Sequence, residues 1–341
     1  MRIRGLRPGR PSLRPGAAVL VGACVLGFVS HGLAEPSSKL PPGRRAAAPG
    51  GVVGVWEGGG NKLTVRRRDT VLTTCSTAAI PEPLAFALAS PERGLAISSS
   101  GDSLVASLID PASCRVLKQV VLGSGRCPLV SGLAREGWLI DISEQTLIRT
   151  GPDLADRVDV PRPSSPIAPT LSAANPAAGG QKPVLTKQGV WMFSAAAYAP
   201  QRLSGKAFQS LHVPACLRTE GVELRGHHYI RWIETTLSKA PSDRAVYEGF
   251  LARARRGDTL FMGTVGALAA DDSRVGVLVR VDGGRSCRLD IWDLARNELR
   301  SAQILPGVCP DALSLDGPHA WTAARGEWTR VALSTAPPAC P

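Results

Sequence analysis

The chain is poor in the residues that most often carry chemistry. Of 341 residues only five are histidine and three tyrosine, and aromatics make up 5%. So few histidines leave little material for a metal site or a catalytic triad. No Gly-x-Ser-x-Gly elbow, His-Glu-x-x-His or phosphate-binding glycine loop occurs, which removes the local signatures of α/β-hydrolases, zinc peptidases and nucleotide-binding folds. No Cys-x-x-Cys pair occurs, so zinc and dithiol redox sites lack their usual spacing. The longest apolar run, Ala17 to Val29, has 13 residues, short of the ~18–20 that span a bilayer as a helix.

That run belongs to a different pattern. Arg2, Arg4, Arg7, Arg10 and Arg14 precede it with no acidic residue among them, and Gly32-Leu33-Ala34 follows it just before Glu35-Pro36. Basic, apolar, then small is the order of a secretory signal, assigned here to residues 1–34. Two other readings use the same residues: an uncleaved signal anchor, and a lipoprotein box Val21-Gly22-Ala23-Cys24 with Cys24 lipidated. Against the box, Val25 to Val29 stay apolar. Cleavage makes the protein secreted or periplasmic, with no membrane span left.

The formal charge of +12 includes the signal's five arginines, which leaves about +7 on the mature chain. A surplus of that size favours acidic surfaces or polymers without specifying one. Arg66-Arg67-Arg68 and the cluster from Arg253 to Arg256 read as solvated hairpin tips rather than a nucleic-acid groove, and export argues against nucleic acid as a partner. Seven cysteines follow residue 34: Cys75, Cys114, Cys127, Cys216, Cys287, Cys309 and Cys340. An oxidising compartment turns some of these into disulfides, and the odd count leaves one over.

Residues 35–50 (EPSSKLPPGRRAAAPG) read as a flexible Pro/Ala/Gly-rich N-terminus. Beyond them, short Val/Leu/Ile/Trp-rich runs alternate with Gly, Asp, Ser and Pro turns every 8–12 residues, the pattern of an all-β sandwich, barrel or propeller. Similar turns precede apolar strands at 90–94, 131–137, 186–189, 224–226, 271–274 and 314–317. Their ends lie 43, 52, 37, 48 and 43 residues apart, near the ~40–45 of a four-stranded propeller blade. Independently, residues 109–128 (IDPASCRVLKQVVLGSGRCP) align with 292–310 (WDLARNELRSAQILPGVCP), matching Asp110 with Asp293 and Cys127-Pro128 with Cys309-Pro310. The offset of 183 residues reads as about four blade lengths.

At these residues the chain resembles the exported bacterial β-propellers of the YVTN and tryptophan–aspartate-repeat type. Ser90-Pro91-Glu92-Arg93-Gly94 looks like their Ser-Pro-Asp-Gly turn, and Asp110 with Val116 to Leu122 looks like their passage from third to fourth strand. The Tyr-Val-Thr-Asn tetrapeptide is absent. The fold expected is all-β: a single propeller over 51–336 with four-stranded antiparallel blades, seven by the turn count with six as the alternative. An irregular insert occupies 163–182, a tail 337–341, and the whole is a monomer. Closing the ring requires the chain ends to share or adjoin a blade, and the last unit shows only three strands, so an N-terminal strand is a candidate to complete it.

Cys114 and Cys127 flank one strand and stand roughly 25 Å apart at ~3.3 Å per residue, so they do not pair within it. Cys287 opens a strand whose antiparallel neighbour ends just before Cys309, which predicts that bridge. Cys75 with Cys340 is the second pairing expected, a staple across the ring's closure.

The remaining features are weighed against structural readings. The seven tryptophans suit packing between blades better than stacking on a carbohydrate. Ser314-Leu315-Asp316-Gly317-Pro318-His319-Ala320-Trp321 resembles the sialidase Asp-box with altered spacing, and that box is a structural turn. His227 and His228, read at the start of a strand after Glu220 and Glu223, are the candidates for a site at the channel, although neighbours in a strand point to opposite faces. Arg256-Gly257-Asp258 serves a turn between strands expected at 246–253 and 259–265. No catalytic residue, cofactor or metal is assigned. Two functions remain: a non-catalytic exported propeller that binds a protein or acidic cell-envelope polymer through loops on one face, and a propeller-type glycan hydrolase or lyase with its site at the channel mouth. A channel lined by small apolar or isolated polar residues favours the first, and two carboxylates ~5–10 Å apart or a histidine cluster favours the second.

Overall fold

The computed structural model describes residues 43–338 except 58–60, 69, 79, 81, 125–128, 143–146, 161–180, 195–196, 225–226, 228–229, 232–233, 235–250, 253–254, 258–259, 282–285, 307–308 and 325–326. Its strands fall into six antiparallel sheets arranged as blades, plus one small accessory sheet. Blade 1 comprises β1 (Gly43–Ala48), β2 (Val52–Glu57), β3 (Lys62–Arg67) and β4 (Thr70–Ser76). Blade 2 comprises β5 (Ala85–Ser90), β6 (Arg93–Ser100), β7 (Ser103–Asp110) and β8 (Arg115–Gly123). Blade 3 is β9 (Leu129–Leu133), β10 (Gly137–Asp141), β11 (Leu147–Thr150) and β12 (Val158–Val160). Blade 4 is β13 (Gln181–Thr186), β14 (Gly189–Ser194), β15 (Pro200–Ser204) and β16 (Ala207–Ser210). After the accessory pair β17 (Val222–Leu224) and β18 (Leu260–Met262) come blade 5, with β19 (Val265–Ala270), β20 (Arg274–Val281), β21 (Ser286–Asp293) and β22 (Glu298–Leu305), and blade 6, with β23 (Ala312–Asp316), β24 (His319–Ala324) and β25 (Glu327–Ala332).

The first strand of each blade is innermost, and these six pack in cyclic order β1, β5, β9, β13, β19, β23 and back to β1. That closed order makes the chain a β-propeller with six blades, the lower of the two counts the sequence allowed. The seventh unit dissolves because the turn at 224–226 does not begin a blade. Val222–Leu224 pairs with Leu260–Met262 in the accessory sheet, inside an insertion between blades 4 and 5. His227 within it is helical rather than extended, as are Leu251 and Ala252 where a strand was expected. The same insertion stretches the offset between the two aligned segments. They are the outer hairpins of blades 2 and 5, three blade steps apart rather than four.

The hairpin turns follow from short polar side chains that end one strand and hold the next backbone amide. Asp110 accepts the Ala112 amide (2.9 Å) and Asp293 accepts the Ala295 amide (2.9 Å). The aligned residues Cys114 and Asn297 both take left-handed backbone angles, φ 53° and 57°, so the two segments share a turn as well as a pattern. Asp271 holds the amides of Ser273 and Arg274 in the same way. In blade 3, Gly132 lies opposite Trp138. A Cβ at Gly132 would run into the indole, so the bare backbone is what admits the buried tryptophan.

The core is distributed among the gaps between blades. Alternation along β5 shows how: Phe86 and Leu88 point into a cluster with Trp56, Leu63 and Val65 of blade 1, whereas Ala85, Ala87 and Ala89 join Trp138 and Ile140 of blade 3. Equivalent wedges fill the gaps from blade 3 to 4, 4 to 5 and 5 to 6. Five tryptophans, Trp56, Trp138, Trp191, Trp292 and Trp321, are buried in strands, in line with packing rather than ligand stacking. The wedge from blade 6 to blade 1 is thinner among the described residues: Trp328 rests on Val53 and Val55.

Closure corrects two expectations. Residues 43–48 are not part of a flexible N-terminus but the innermost strand of blade 1, so the propeller begins at residue 43 rather than 51. That strand does not complete the last blade, which has three strands among the described residues. Blades 1 and 6 instead meet as neighbours. Gly50 N–H donates to Leu315 O (2.7 Å) and Ser314 Oγ donates to Ala48 O (2.5 Å). Arg45 pairs with Asp311 and Arg68 with Asp316, both at 3.0 Å.

Candidate functional site

In a ring whose inner strands run the same way, strand ends divide between two faces. The face at the ends of β1 and β23, where Gly50 meets Leu315, carries tight hairpins such as 91–92, 187–188 and 317–318. The face where the inner strands begin is also where the outermost strands end, and among the described residues it carries both ends of the 211–264 connection. That connection is anchored to blades 4 and 5 by a buried ion pair and its hydrogen bonds.

Arg288 and Asp290 make that ion pair. Their i, i+2 spacing on β21 places both side chains toward blade 4, where they form a two-pronged pair: Arg288 Nε to Asp290 Oδ1 at 2.7 Å and Nη2 to Oδ2 at 2.8 Å. Arg288 also donates to the carbonyl of Leu217 (2.8 Å), the last residue of a 3-10 turn at Ala215–Leu217. The Arg288 guanidinium lies 5.6 Å from the Tyr198 ring centre, and the Tyr198 hydroxyl accepts from Trp292 Nε1 (2.7 Å). Burial works against the Arg288 charge, but the Asp290 hydrogen bond and charge outweigh it and hold the guanidinium's pKa above its ordinary value. Burial raises Asp290 in turn, opposed by Arg288 and by a hydrogen bond from Tyr198. The two directions pull apart for one contact, and the two short parallel hydrogen bonds identify it as an ion pair. Burial, with the Asp290 charge second, lifts the Tyr198 phenol far above its usual range.

Two more cations sit where this wedge meets the loop face. Lys182, at the start of β13, donates to Gly266 O of β19 (3.0 Å). Part of its side-chain surface reaches solvent, yet protein crowds the ammonium; that desolvation, with Arg280's charge second, pulls its pKa down to about 7. Arg280 donates to Gly263 O (3.3 Å), and its carbonyl accepts from Thr219 Oγ1 (3.4 Å). Tyr198 N–H donates to Thr219 O (2.9 Å), and Ala197 bridges Glu220. Both ends of the insertion are therefore tied to blade backbones. The polar groups of this network bond to one another and to the backbones of blades 4 and 5 and of the insertion.

The residues singled out in the sequence are not brought together. His227 is exposed and helical within the insertion, and His228 lies outside the described residues. Glu220 forms the bridge to Ala197, and Glu223 pairs with Phe261 on β17 and β18. Cys287 is bonded to Cys309, Cα to Cα 5.1 Å. Cys75 is bonded to Cys114, Cα to Cα 5.7 Å, not to Cys340, which lies outside the described residues. Spacing excludes a bond from Cys114 to Cys127 and leaves Cys114 without an assigned partner; that partner lies on the outer strand of the blade beside it. Ser314 and Asp316 of the Asp-box-like stretch serve ring closure, and Trp321 Nε1 donates to Asp316 (3.2 Å). The turn at Arg256-Gly257 is present, while Asp258 and most of the insert at 163–182 lie outside the described residues. Its last two residues open β13.

Arg288, Asp290, Tyr198 and Lys182 were missed. The signal available was Arg-Leu-Asp inside the otherwise apolar SCRLDIWD, two opposite charges on one face of a strand bound for the interior. Among the described residues no cluster of three or more His, Cys, Asp or Glu is placed to hold a metal ion, and no helix is long and apolar enough to cross a membrane.

No protein-family model matches the chain, and no curated protein does. Solved structures resemble it over most of its length. Hydrazine synthase of Kuenenia stuttgartiensis is similar with a TM-score of 0.41 and 12% identity, covering 89% of this chain and 99% of that one. A streptogramin B lyase gives 0.45 and 10%, with 89% and 96% covered. BamB of Moraxella catarrhalis gives 0.40 and 11%, with 87% and 84% covered. Such likeness concerns architecture alone. The chain's own strand order, inner ring and interblade wedges make it a single six-bladed β-propeller.

Proposed function

We propose that the protein is an exported, non-catalytic propeller that binds a protein or an acidic cell-envelope polymer through the face bearing the 211–264 insertion. The observation that carries this reading is the anchoring of that insertion. Arg288, itself paired with Asp290, donates to Leu217 O, Arg280 donates to Gly263 O, and Tyr198 N–H donates to Thr219 O, which ties the insertion's stem to blades 4 and 5. The inner strands support it: AFALAS, VGALAA and most of GRRAAA are small or apolar, and charged side chains on inner strands are engaged, Arg45 with Asp311, Lys182 with Gly266 O and Asp316 with Arg68. The net positive charge fits an acidic partner. The Cys75–Cys114 and Cys287–Cys309 disulfides are consistent with an extracytoplasmic setting, and secretion or periplasmic residence is the placement proposed.

The test places a photo-crosslinking residue at exposed His227, in the insertion, or at exposed Lys187, on the opposite face. In a native envelope fraction, a discrete adduct from position 227 and none from 187 is the expected result. Equal adducts from both faces overturn the choice of face. Stoichiometric metal in the purified mature protein, or release of reducing ends from envelope glycans, overturns the non-catalytic reading in favour of a propeller enzyme.

A further inference from the structure

Three arginines that cross from one blade to the next end on a carboxylate: Arg45 on Asp311, Arg68 on Asp316 and Arg93 on Asp153. Arg202 of β15 crosses from blade 4 to blade 5 and ends on amides instead. Its Nη1 donates to Asn297 Oδ1 (2.6 Å), in the turn between β21 and β22, and to Gln188 Oε1 (3.4 Å), in the turn before β14. We infer that this crossing is a binding site for a small carboxylate, which takes the place that Asp311, Asp316 and Asp153 hold at the other crossings. The site lies on the tight-hairpin face, so its test is independent of the reading given to the insertion.

Two donors at this crossing, Arg202 Nε and Trp191 Nε1, are buried without a hydrogen-bond partner among the described residues. They belong to one row. Trp191 of β14 lies directly opposite Arg202 of β15, with the two backbones about 5 Å apart, on the face of blade 4 that packs against Trp292 of blade 5. Trp191 is fully buried, and other buried indoles in the ring reach acceptors: Trp138 gives its N–H to Pro152 O (3.0 Å) and Trp292 to the Tyr198 hydroxyl (2.7 Å). The Trp328 indole is unpaired too, but its cross-strand neighbour is Ala323 rather than an arginine. Buried N–H groups are almost always bonded, so the row of Trp191 and Arg202 calls for an acceptor, and the guanidinium calls for a negative one.

The shape of the donor set selects the ligand. With Nη1 taken by the two amide oxygens, the guanidinium keeps its Nε–Nη2 edge, whose two parallel N–H bonds match the two oxygens of a carboxylate. One oxygen on Nε–H is shared with the Trp191 indole, and the other rests on Nη2. A water molecule accepts from the same donors but leaves the charge uncompensated, and Arg202 is half-buried, where an opposite charge is worth more than in open solvent. The burial of both donors restricts the ligand to a small acid. Gln188, exposed at a hairpin tip and held by the longer of the two contacts, is the side chain that yields to admit it.

The test follows the Trp191 indole N–H by NMR in isotope-labelled protein, assigned by its loss in Trp191→Phe, while acetate replaces chloride at constant ionic strength. A saturable shift of that signal is expected. Binding at least tenfold weaker is expected for Arg202→Lys, which keeps the charge and loses the forked edge, with circular dichroism to check the fold. Asn297→Asp offers Arg202 a carboxylate from within the chain, and aspartate tolerates the left-handed backbone at 297 (φ 57°). That variant is expected to melt higher than wild type and to ignore acetate. No shift with acetate, an equal shift with inorganic phosphate, or undiminished acetate binding by Asn297→Asp overturns the proposal. So does tighter binding of N-acetylglutamate amide than of acetate, which would give the site to a side chain of a protein partner.

Discussion

Lys182 carries a pH dependence. Its pKa lies near 7 in the folded protein against 10.5 ordinarily, so between those values the unfolded chain holds a proton that the native one has lost. Stability therefore rises with pH across that window, by up to about 1.4 kcal/mol per unit before discounting for the solvent its side chain still meets. Below pH 7 the cost of confining the charge is fully present. Lys182→Met lacks that cost, so its advantage over wild type is largest at pH 6 and shrinks by pH 9; urea midpoints at the two pH values give the answer, and an advantage that does not change with pH refutes the assignment. Asp290→Ala strands the buried Arg288 charge and is expected to lower stability by about 3–5 kcal/mol, whereas replacing both with apolar residues costs far less. Denaturant titration of the single and double variants checks this. At this scale the sequence was least legible. Lys182 and Tyr198 look ordinary until blades 4 and 5 are brought together, because nothing local marks a side chain whose neighbours lie 84 or 94 residues away.

Strands and turns were far more readable. Period-2 alternation and polar turn residues act within a few positions, so the hairpins at 90–94, 186–189, 271–274 and 314–317 could be placed from the chain alone. What misled was a turn with the right composition at 224–226, since composition specifies a reversal without saying which sheet the next strand will join. The disulfide misassignment has a similar origin. Propeller twist brings the outer edge of one blade against a hairpin of the next, a relation between elements that spacing does not encode. The Cys75–Cys114 bond closes a separation of 39 residues, and removing it with Cys75→Ala and Cys114→Ala is expected to cost about 2–4 kcal/mol. A double variant as stable as wild type would show that β4 is held by packing alone.

For the whole molecule, a core divided into wedges means each blade is supported only by its two neighbours, so the junction of blades 6 and 1 decides whether the ring holds. Ser314→Ala removes the donor to Ala48 O, leaves a buried carbonyl without that partner, and is expected to lower stability by about 1–3 kcal/mol in thermal melts. No loss would mean that the two salt bridges suffice for closure. The Arg45–Asp311 contact joins residues 266 apart, whereas each blade is assembled from neighbours in sequence. As the polypeptide is made, sheets one to five can stack in order of appearance, but Val53 and Val55 stay wet until Trp328 has emerged. Completion is thus a late docking of the two extremities, and a nascent chain halted before its final forty residues is an arc whose first sheet is still bare along one side.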